Sequence, residues 1–181
     1  MDSLLPQAYL IGLIVLLAGA AAVVARQIWR VRGDEVTLAR LEGESANSAA
    51  AQASQLYELA SVQLRKRLYD QAIDSLKLAA KRADADGEPS EARALIQNAL
   101  GFALAAKNNY KTAIRHYRQA LADKPDYPVA LNNLAFALEK QQKFDEAEAA
   151  YQTVLGLDAN NKTAQKRLKL LERKAGARNV A

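Results

Sequence analysis

The feature that most constrains this chain is a pattern of small and bulky residues that recurs along its C-terminal part. In each copy a small residue is followed by a ring nine positions later, an alanine three further on and a large side chain four beyond that. Spacings of three and four place side chains on one helix face. The second and third copies are 34 residues apart, whereas the first and second are 41 apart, which indicates a seven-residue insertion near residues 83–90. The copies are Ala60, Tyr69, Ala72 and Leu76; Gly101, Tyr110, Ala113 and Tyr117; Ala135, Phe144, Ala147 and Tyr151.

Three aligned segments carry this pattern. They read LYELASVQLRKRLYDQAIDSLKLA, QNALGFALAAKNNYKTAIRHYRQA and LNNLAFALEKQQKFDEAEAAYQTV. Their small and bulky residues fall at the positions of the tetratricopeptide motif, so the chain resembles that superfamily. The resemblance implies an all-α solenoid of three helix pairs, over about residues 53–86, 94–127 and 128–161. The segment KTAQKRLKLLERK then predicts a capping helix in a basic tail, residues 162–181.

An uncharged apolar run occupies residues 8–25, near the N-terminus. As a helix it approaches the roughly 30 Å of hydrocarbon that a spanning segment must cross. Tyr9 and Trp29 bracket the run, where interfacial aromatics belong. Three arginines follow it, which predicts a lumenal N-terminus and repeats on the cytoplasmic or stromal side. Residues 1–32 are therefore expected to form a membrane anchor, because a cleaved signal peptide would carry its basic residues before the apolar core.

Between the anchor and the repeats lie residues 33–52, which are polar and rich in alanine, serine and glycine. This composition interrupts any apolar stripe and predicts a flexible linker, helical only around residues 36–41. The linker would let the repeats move near the membrane surface.

Positive charge is concentrated at the two ends of the chain. Residues 162–181 carry seven Lys or Arg against one acidic residue, and the three arginines follow the apolar run. Such clusters are expected to contact anionic lipid headgroups or an acidic partner. The alternative for the tail is a solvated cap face. The residues assigned to this contact are Arg26, Arg30, Arg32, Lys166 and Lys169.

The residues needed for catalysis are not assembled anywhere along the sequence. There is no cysteine, and the single histidine, His116, lies between Arg115 and Arg118 as a solvated helix residue would. No serine has a histidine–acid arrangement beside it. The acidic residues of the insertion lack the spacing of a calcium loop and are expected to form a solvated loop. We therefore expect no enzyme activity, no cofactor and no metal site.

The first helix of each repeat is expected to supply a partner-binding groove. In tetratricopeptide geometry the second, fifth and ninth positions of that helix line the concave side. Asparagine offers both a donor and an acceptor to a peptide backbone, and aromatic rings are frequent interface anchors. The alternative is that the phenylalanines pack between repeats. The groove residues assigned are Tyr57, Asn98, Phe102, Asn132 and Phe136.

The combination of anchor, repeats, widened gap and basic end resembles one family in particular. The segments RQIWRVR, YELAS, ALIQNALGFALAAKNNYKTAIRHYRQAL and PVALNNLAFALEKQQKFDEAEAAYQTVL are similar to the tetratricopeptide-repeat photosystem I assembly factors of cyanobacteria and plastids. The resemblance implies a single-pass thylakoid protein that binds photosystem I subunits or assembly intermediates. Two other functions remain open: a general bacterial inner-membrane repeat adaptor, and a nucleic-acid-associated membrane protein using the basic tail. No nucleic acid is expected as a partner, and the oligomeric state is left open.

Overall fold

A computed structural model of the chain describes residues 4–45 and 51–178, which form eight α-helices. The chain divides into two compact units, residues 1–44 and 45–181. Helix α1 spans Leu4–Ser45 and lies in the first unit except for its last residue. The predicted all-α solenoid of three helix pairs followed by a further helix is confirmed in the second. Its helices are α2 (Ala53–Arg65), α3 (Tyr69–Ala85), α4 (Ser90–Ala106), α5 (Tyr110–Asp123), α6 (Pro128–Lys140), α7 (Phe144–Leu157) and α8 (Lys162–Arg178).

Helix α1 contains the apolar run identified in the sequence. Its segment Tyr9–Trp29, 21 residues long, is apolar and long enough to cross a membrane, judged by length and composition alone. Every side chain of that segment is exposed. Exposed apolar side chains along six turns of helix are what a lipid-facing segment requires and what water disfavours.

The linker differs from its prediction, because α1 continues as a helix through residues 33–45. Adding residues to an existing helix gains one backbone hydrogen bond for each residue fixed, so extension is easier than nucleation. Leucine, alanine, arginine and glutamate in this stretch favour helix, although Gly33 and Gly43 each cost about 1 kcal/mol. The Thr37 hydroxyl also donates to the Gly33 carbonyl at 2.8 Å. Of the remaining linker residues, 51–52 are not helical and 46–50 lie outside the described part of the chain.

The insertion between the first and second repeats lengthens two helices instead of forming a loop. Helix α3 has 17 residues where α5 has 14, and α4 has 17 where α6 has 13. These differences account for all seven extra residues, and the turn between α3 and α4 is as short as its counterparts. The expected acidic loop is wrong for Asp84, which lies within α3, whereas Asp86 and Glu88 lie in the short turn between α3 and α4. Alanine, arginine and glutamate on either side of the turn favour the additional helical turns.

Small residues let the two helices of each pair approach closely. A Cβ placed on Gly101 in α4 would lie 2.6 Å from the ring of Tyr117 in α5. An alanine there would force the Tyr117 ring to shift, because no carbon atom is tolerated at that distance. One repeat later, Ala135 and Tyr151 are both fully buried. The ring of the second helix therefore fills the groove that the small residue leaves.

The turn inside each helix pair places one residue in the left-handed region. These residues are Arg67, Asn108 and Gln142, with φ of 60°, 62° and 60°. The amide that follows each of them bonds a carbonyl of the preceding helix, for example Lys143 to Leu138 at 3.0 Å. This is the Schellman ending, in which glycine is most favourable and asparagine next. The first helix of each pair thus ends in the same backbone conformation, although a different residue adopts it in each.

Candidate partner-binding groove

The groove is formed by the first helices of successive pairs, with α2 contacting α4 and α4 contacting α6. At the predicted groove positions several apolar side chains remain open to solvent. Phe102 is 45% exposed, and Leu95 and Val129 are exposed to a similar extent. Unpartnered apolar side chains that line up on adjacent helices mark an interaction surface more often than a passive one.

The first recess of the groove lies between α2 and α4 and has a volume of about 220 Å³. Tyr57 lines it, as predicted for a groove residue. Ala92, in the extra turn of α4, lines the same recess. The insertion therefore helps to build the groove. The lining is mostly apolar and consists of Ala53, Ser54, Tyr57, Glu88, Ala92, Leu95 and Ile96.

The second recess brings the two predicted phenylalanines together. Phe102 and Phe136 line a cavity of about 280 Å³ with Tyr110 and Asn133. The Phe136 ring meets the Tyr110 ring edge to face, with centroids 6.4 Å apart. Lys140 Nζ lies 5.3 Å and the Arg167 guanidinium 4.9 Å from the centroid of Phe136. Within the described residues, Phe102 has no such ring or cation contact. Phe102 is therefore the more available of the two rings.

The two predicted asparagines join neighbouring repeats. Asn98 Nδ2 donates to the Tyr127 hydroxyl at 3.3 Å, and Asn98 Oδ1 accepts from Asn133 Nδ2 at 3.0 Å. Burial raises the pKa of Tyr127, so its hydroxyl stays protonated as a hydrogen-bonding group. The amide of Asn98 is thus engaged at both ends, and it is less available to a peptide than its sequence position implied.

Asn132 makes the equivalent bond one repeat later. Its Nδ2 donates to Asn161 Oδ1 at 3.3 Å, and the same oxygen accepts from the Ala164 amide at the start of α8. The Oδ1 of Asn132 is buried and has no hydrogen-bond partner among the described residues. Peptide binding by Asn98 and Asn132 remains a prediction, whereas their bonds between repeats are part of the fold.

The basic residues assigned from the sequence lie in both units. Arg26 and Arg32 of α1 are exposed, and the side chain of Arg30 is outside the described part of the chain. Lys166 and Lys169 of α8 are exposed. Lys166 lines a third recess, of about 500 Å³, whereas Lys169 does not. That recess is formed by Lys162, Thr163, Lys166, Arg167 and Leu170.

His116 is less solvated than the sequence indicated. Its Nδ1 lies 2.8 Å from Oε1 of Gln97 in the preceding helix. Burial lowers its pKa, and the nearby charge of Arg115 lowers it further. His116 therefore helps to join α4 and α5 as a neutral ring.

Several residues of the groove could not be assigned from repeat positions. Tyr127 and Asn161 precede the next first helix, and Arg167 reaches Phe136 from α8. Tyr110 was identified only as a ring of the repeat core, yet it also supports Phe136. One sequence signal could have identified Tyr127 and Asn161. Each lies 29 residues after a groove asparagine, Tyr127 after Asn98 and Asn161 after Asn132.

Comparison with known proteins supports the repeat assignment. A tetratricopeptide-repeat family model matches residues 104–171. The structure is similar to MamA, with a TM-score of 0.71 at 20% identity, covering 83% of this chain and 84% of that one. It is also similar to the first tetratricopeptide domain of Spaghetti (RPAP3) bound to an HSP90 peptide, with a TM-score of 0.63 at 22% identity, covering 69% of this chain and 94% of that one. At these identities the likeness shows the fold.

Relatives identify the family. The ycf37 protein of Cyanophora paradoxa is 29% identical, over 95% of this chain and 98% of that protein. The chloroplastic tetratricopeptide-repeat protein PYG7 of Arabidopsis thaliana is 33% identical over 88% of this chain, which spans about half of that longer protein, 52%. The ycf37 protein of Guillardia theta is 33% identical over 94% of both chains. The chain therefore belongs to the ycf37 family of tetratricopeptide-repeat proteins, which confirms the resemblance stated from its sequence.

Proposed function

We propose that this protein is a non-catalytic, membrane-anchored scaffold that binds protein partners through its groove and assists the assembly or stability of photosystem I. The observation that carries partner binding is the row of exposed apolar side chains on α4 and α6, with the two recesses beside them. A monomeric soluble domain gains nothing from such a row, whereas a partner that covers it removes apolar surface from water.

The membrane part of the proposal rests on α1. A mostly apolar segment of 21 residues with exposed side chains fits the thickness of a bilayer. The arginines that follow it favour an orientation with the repeats on the cytoplasmic or stromal side. Anchoring confines the groove near membrane-embedded partners, so individual contacts can be weak and reversible. Reversible binding suits a factor that must leave a finished complex.

The step from a scaffold to photosystem I rests on the family. The sequence resembles photosystem I assembly factors, and the PYG7 relative is named as chloroplastic. We therefore assign this chain to the thylakoid membrane, with photosystem I subunits or intermediates as its partners.

Cysteine labelling tests the topology directly, because the chain has no cysteine of its own. We would compare Asp2→Cys with Lys111→Cys in right-side-out thylakoid vesicles, using a membrane-impermeant maleimide. The proposed orientation predicts labelling of Cys at 111 in intact vesicles and of Cys at 2 only after detergent is added. Equal labelling of both positions in sealed vesicles would contradict the anchor.

Deletion of the protein tests the assembly role. We expect photosystem I, measured by P700 absorbance, to fall while photosystem II, measured in the same membranes, stays near its normal level. Photosystem I subunits should co-purify with the tagged full chain. Normal photosystem I after deletion, together with no photosystem subunits in the purified fraction, would exclude the proposal and favour a general membrane adaptor.

A further inference from the structure

Helix α8 occupies the place of a fourth first helix. Thr163, Lys166 and Leu170 lie 34 residues after Val129, Asn132 and Phe136, so they hold the same groove positions one repeat later. These three residues line the 500 Å³ recess. Three contacts join α6 to α8 and the turn before it, namely the Asn132–Asn161 hydrogen bond, the packing of Arg167 on Phe136 and the approach of Arg167 to Glu139 at 3.7 Å. Helix α8 thus continues the groove besides capping the core with Ala164, Leu168 and Leu171.

This end of the groove carries an excess of positive charge. Lys162, Lys166 and Arg167 line the recess, and Arg167 also packs on the Phe136 ring, which Lys140 contacts as well. Nearby carboxylates include Asp158 in the turn before α8, which accepts a hydrogen bond from the Asn161 side chain at 3.2 Å, and Glu139, whose side chain is only 10% exposed. Glu139 accepts a hydrogen bond from the Tyr151 hydroxyl at 2.7 Å and lies 3.7 Å from Arg167. Among the described side chains, no carboxylate pairs with Lys162 or Lys166.

We propose that the α8 recess binds an acidic segment of a protein partner, so that the groove recognises ligands with apolar side chains at one end and carboxylates at the other. This inference rests on the proposed scaffold function and names the chemistry of the partner. Lys162 and Lys166 supply point charges, and Arg167 presents a planar donor fork suited to a carboxylate. Leu170 is 38% exposed at the recess and contacts the aliphatic part of the ligand.

A protein segment fits this surface better than a lipid headgroup does. The basic recess is continuous in register with Phe102 and Leu95, which are exposed apolar positions on α4. A headgroup would engage α8 alone and leave these side chains uncovered. An extended acidic and apolar segment covers both, and its charges discriminate among apolar partners.

The test uses the full chain in a neutral detergent and two fluorescein-labelled peptides. One peptide carries Leu and Phe followed by four glutamates, and the other has four glutamines in their place. Fluorescence anisotropy should give an affinity at least about tenfold higher for the glutamate peptide, with the difference decreasing as salt is added. The double variant Lys162→Gln with Lys166→Gln should lose most of this preference. Lys81→Gln with Lys111→Gln, on exposed surfaces of α3 and α5, is the matched control of equal charge and should keep it.

Lysine acetylation read by mass spectrometry supplies a second readout that needs no variant. The glutamate peptide should protect Lys162 and Lys166 and leave Lys81 and Lys111 reactive. Equal affinity for the two peptides would overturn the inference, as would an equal loss in the control variant. Both double variants are checked by circular dichroism, and if the Lys162 variant unfolds, the acetylation pattern decides.

A further experiment distinguishes the acidic peptide from an anionic lipid headgroup as the ligand of the recess. The full chain is placed in nanodiscs of phosphatidylcholine, with or without phosphatidylglycerol. Protection of Lys162 and Lys166 by phosphatidylglycerol, with no protection by the glutamate peptide, would overturn the inference in favour of a membrane contact. Loss of photosystem I after deletion, together with no preference for the glutamate peptide, would leave the scaffold function intact and reject this recess as its recognition site.

Discussion

The second and third repeats place the same residues in different surroundings. Phe102 and Phe136 occupy equivalent positions, but only Phe136 is held by Tyr110, Lys140 and Arg167. The positions that correspond to Lys140 and Arg167 in the second repeat are Ala106 and Asn133, which carry no charge. Whether a groove phenylalanine stays exposed or is held by other side chains therefore depends on two features. They are the residues in the last turn of its own helix and those of the first helix of the next repeat.

The buried tyrosines show the same difference. Tyr117 and Tyr151 fill equivalent sites against Gly101 and Ala135. Tyr151 donates to Glu139 at 2.7 Å, whereas the second repeat has Ala105 at the position of Glu139. In the part of the chain that the structure describes, the Tyr117 hydroxyl has no hydrogen-bond partner. The third repeat is thus stabilised by polar contacts and joined to α8, and the second leaves its surface available to a partner.

The largest expected effect comes from removing the two phenylalanine rings in turn. Phe136→Ala should lower the free energy of unfolding by about 2–3 kcal/mol, because the ring loses two cation contacts and an aromatic pair as well as apolar burial. Phe102→Ala should lower it by only about 1 kcal/mol, since the ring is about half exposed and has less apolar surface to lose. Urea unfolding of the full chain in detergent, followed by circular dichroism, measures both values.

Partner binding should depend more on Phe102 than on Phe136, the reverse of their expected contributions to stability. Phe102→Ala is expected to reduce the recovery of co-purified partners while the protein stays folded, because this ring is the exposed anchor of the second recess. Equal unfolding free energies for the two variants would contradict the distinction between an open and a fixed ring. Unchanged recovery with Phe102→Ala would move the main contact elsewhere in the groove.

The next effect concerns the tyrosine hydroxyls. Tyr151→Phe should lower the free energy of unfolding by about 2 kcal/mol, since it leaves the mostly buried Glu139 without its charge-assisted hydrogen bond. Tyr117→Phe is the matched control and should cost less than about 0.5 kcal/mol. The same urea titration measures the difference, and a Tyr117→Phe cost as large as that of Tyr151→Phe would show that the Glu139 contact is unimportant.

An alkaline titration gives this comparison an independent reading. Burial raises the pKa of both Tyr117 and Tyr151 above the ordinary value of 10.0. Above pH 10 the unfolded chain therefore loses these protons before the folded chain does, so stability is full below pH 10 and decreases as the pH rises beyond it. Each phenylalanine variant should show a shallower decrease than the parent chain.

The fold was largely predictable because its requirements are local and periodic. Small residues where helices cross and rings that fill the remaining groove recur at fixed spacing, so Gly101 and Tyr117 could be assigned to repeat positions from the sequence alone. The fate of the insertion was not predictable, because residues near Asp84 can extend a helix or form a loop, and only packing against α2 and α5 decides. Residues 33–45 were assigned to a linker on composition, while their continuity with an existing helix favoured α1.

The positions of the groove residues could be predicted from the repeat register, but the contacts that each side chain makes could not. Repeat register identified Phe102 and Phe136 as equivalent, and the structure separates them through residues contributed by other helices. Asn98 and Asn132 were assigned to peptide binding because of their chemistry. That assignment stays a prediction, and their amides also bond Tyr127 and Asn161, which belong to the turns before the next helices. Such contacts depend on where a turn ends in space, and a spacing rule carries no information about that.

The smallest expected effect distinguishes the turns of the two repeats. Gln142 and Asn108 have the same left-handed backbone, with φ of 60° and 62°. This conformation costs a residue with a Cβ roughly 1–2 kcal/mol, less for asparagine and nothing for glycine. Gln142→Gly should therefore stabilise the protein by about 0.5 kcal/mol, after allowing for the greater entropy that glycine gives to the unfolded chain.

Asn108→Gly serves as the control for this substitution and should not stabilise. The Oδ1 of Asn108 accepts a hydrogen bond from the Tyr110 hydroxyl at 2.9 Å, which glycine would remove. Because Tyr110 also supports Phe136, loosening its hydroxyl affects the fixed ring of the third repeat. Thermal midpoints of the full chain should rise by a degree or more for Gln142→Gly and stay level or fall for Asn108→Gly. A fall for Gln142→Gly would mean that its side chain, and not its backbone, determines the stability of that turn.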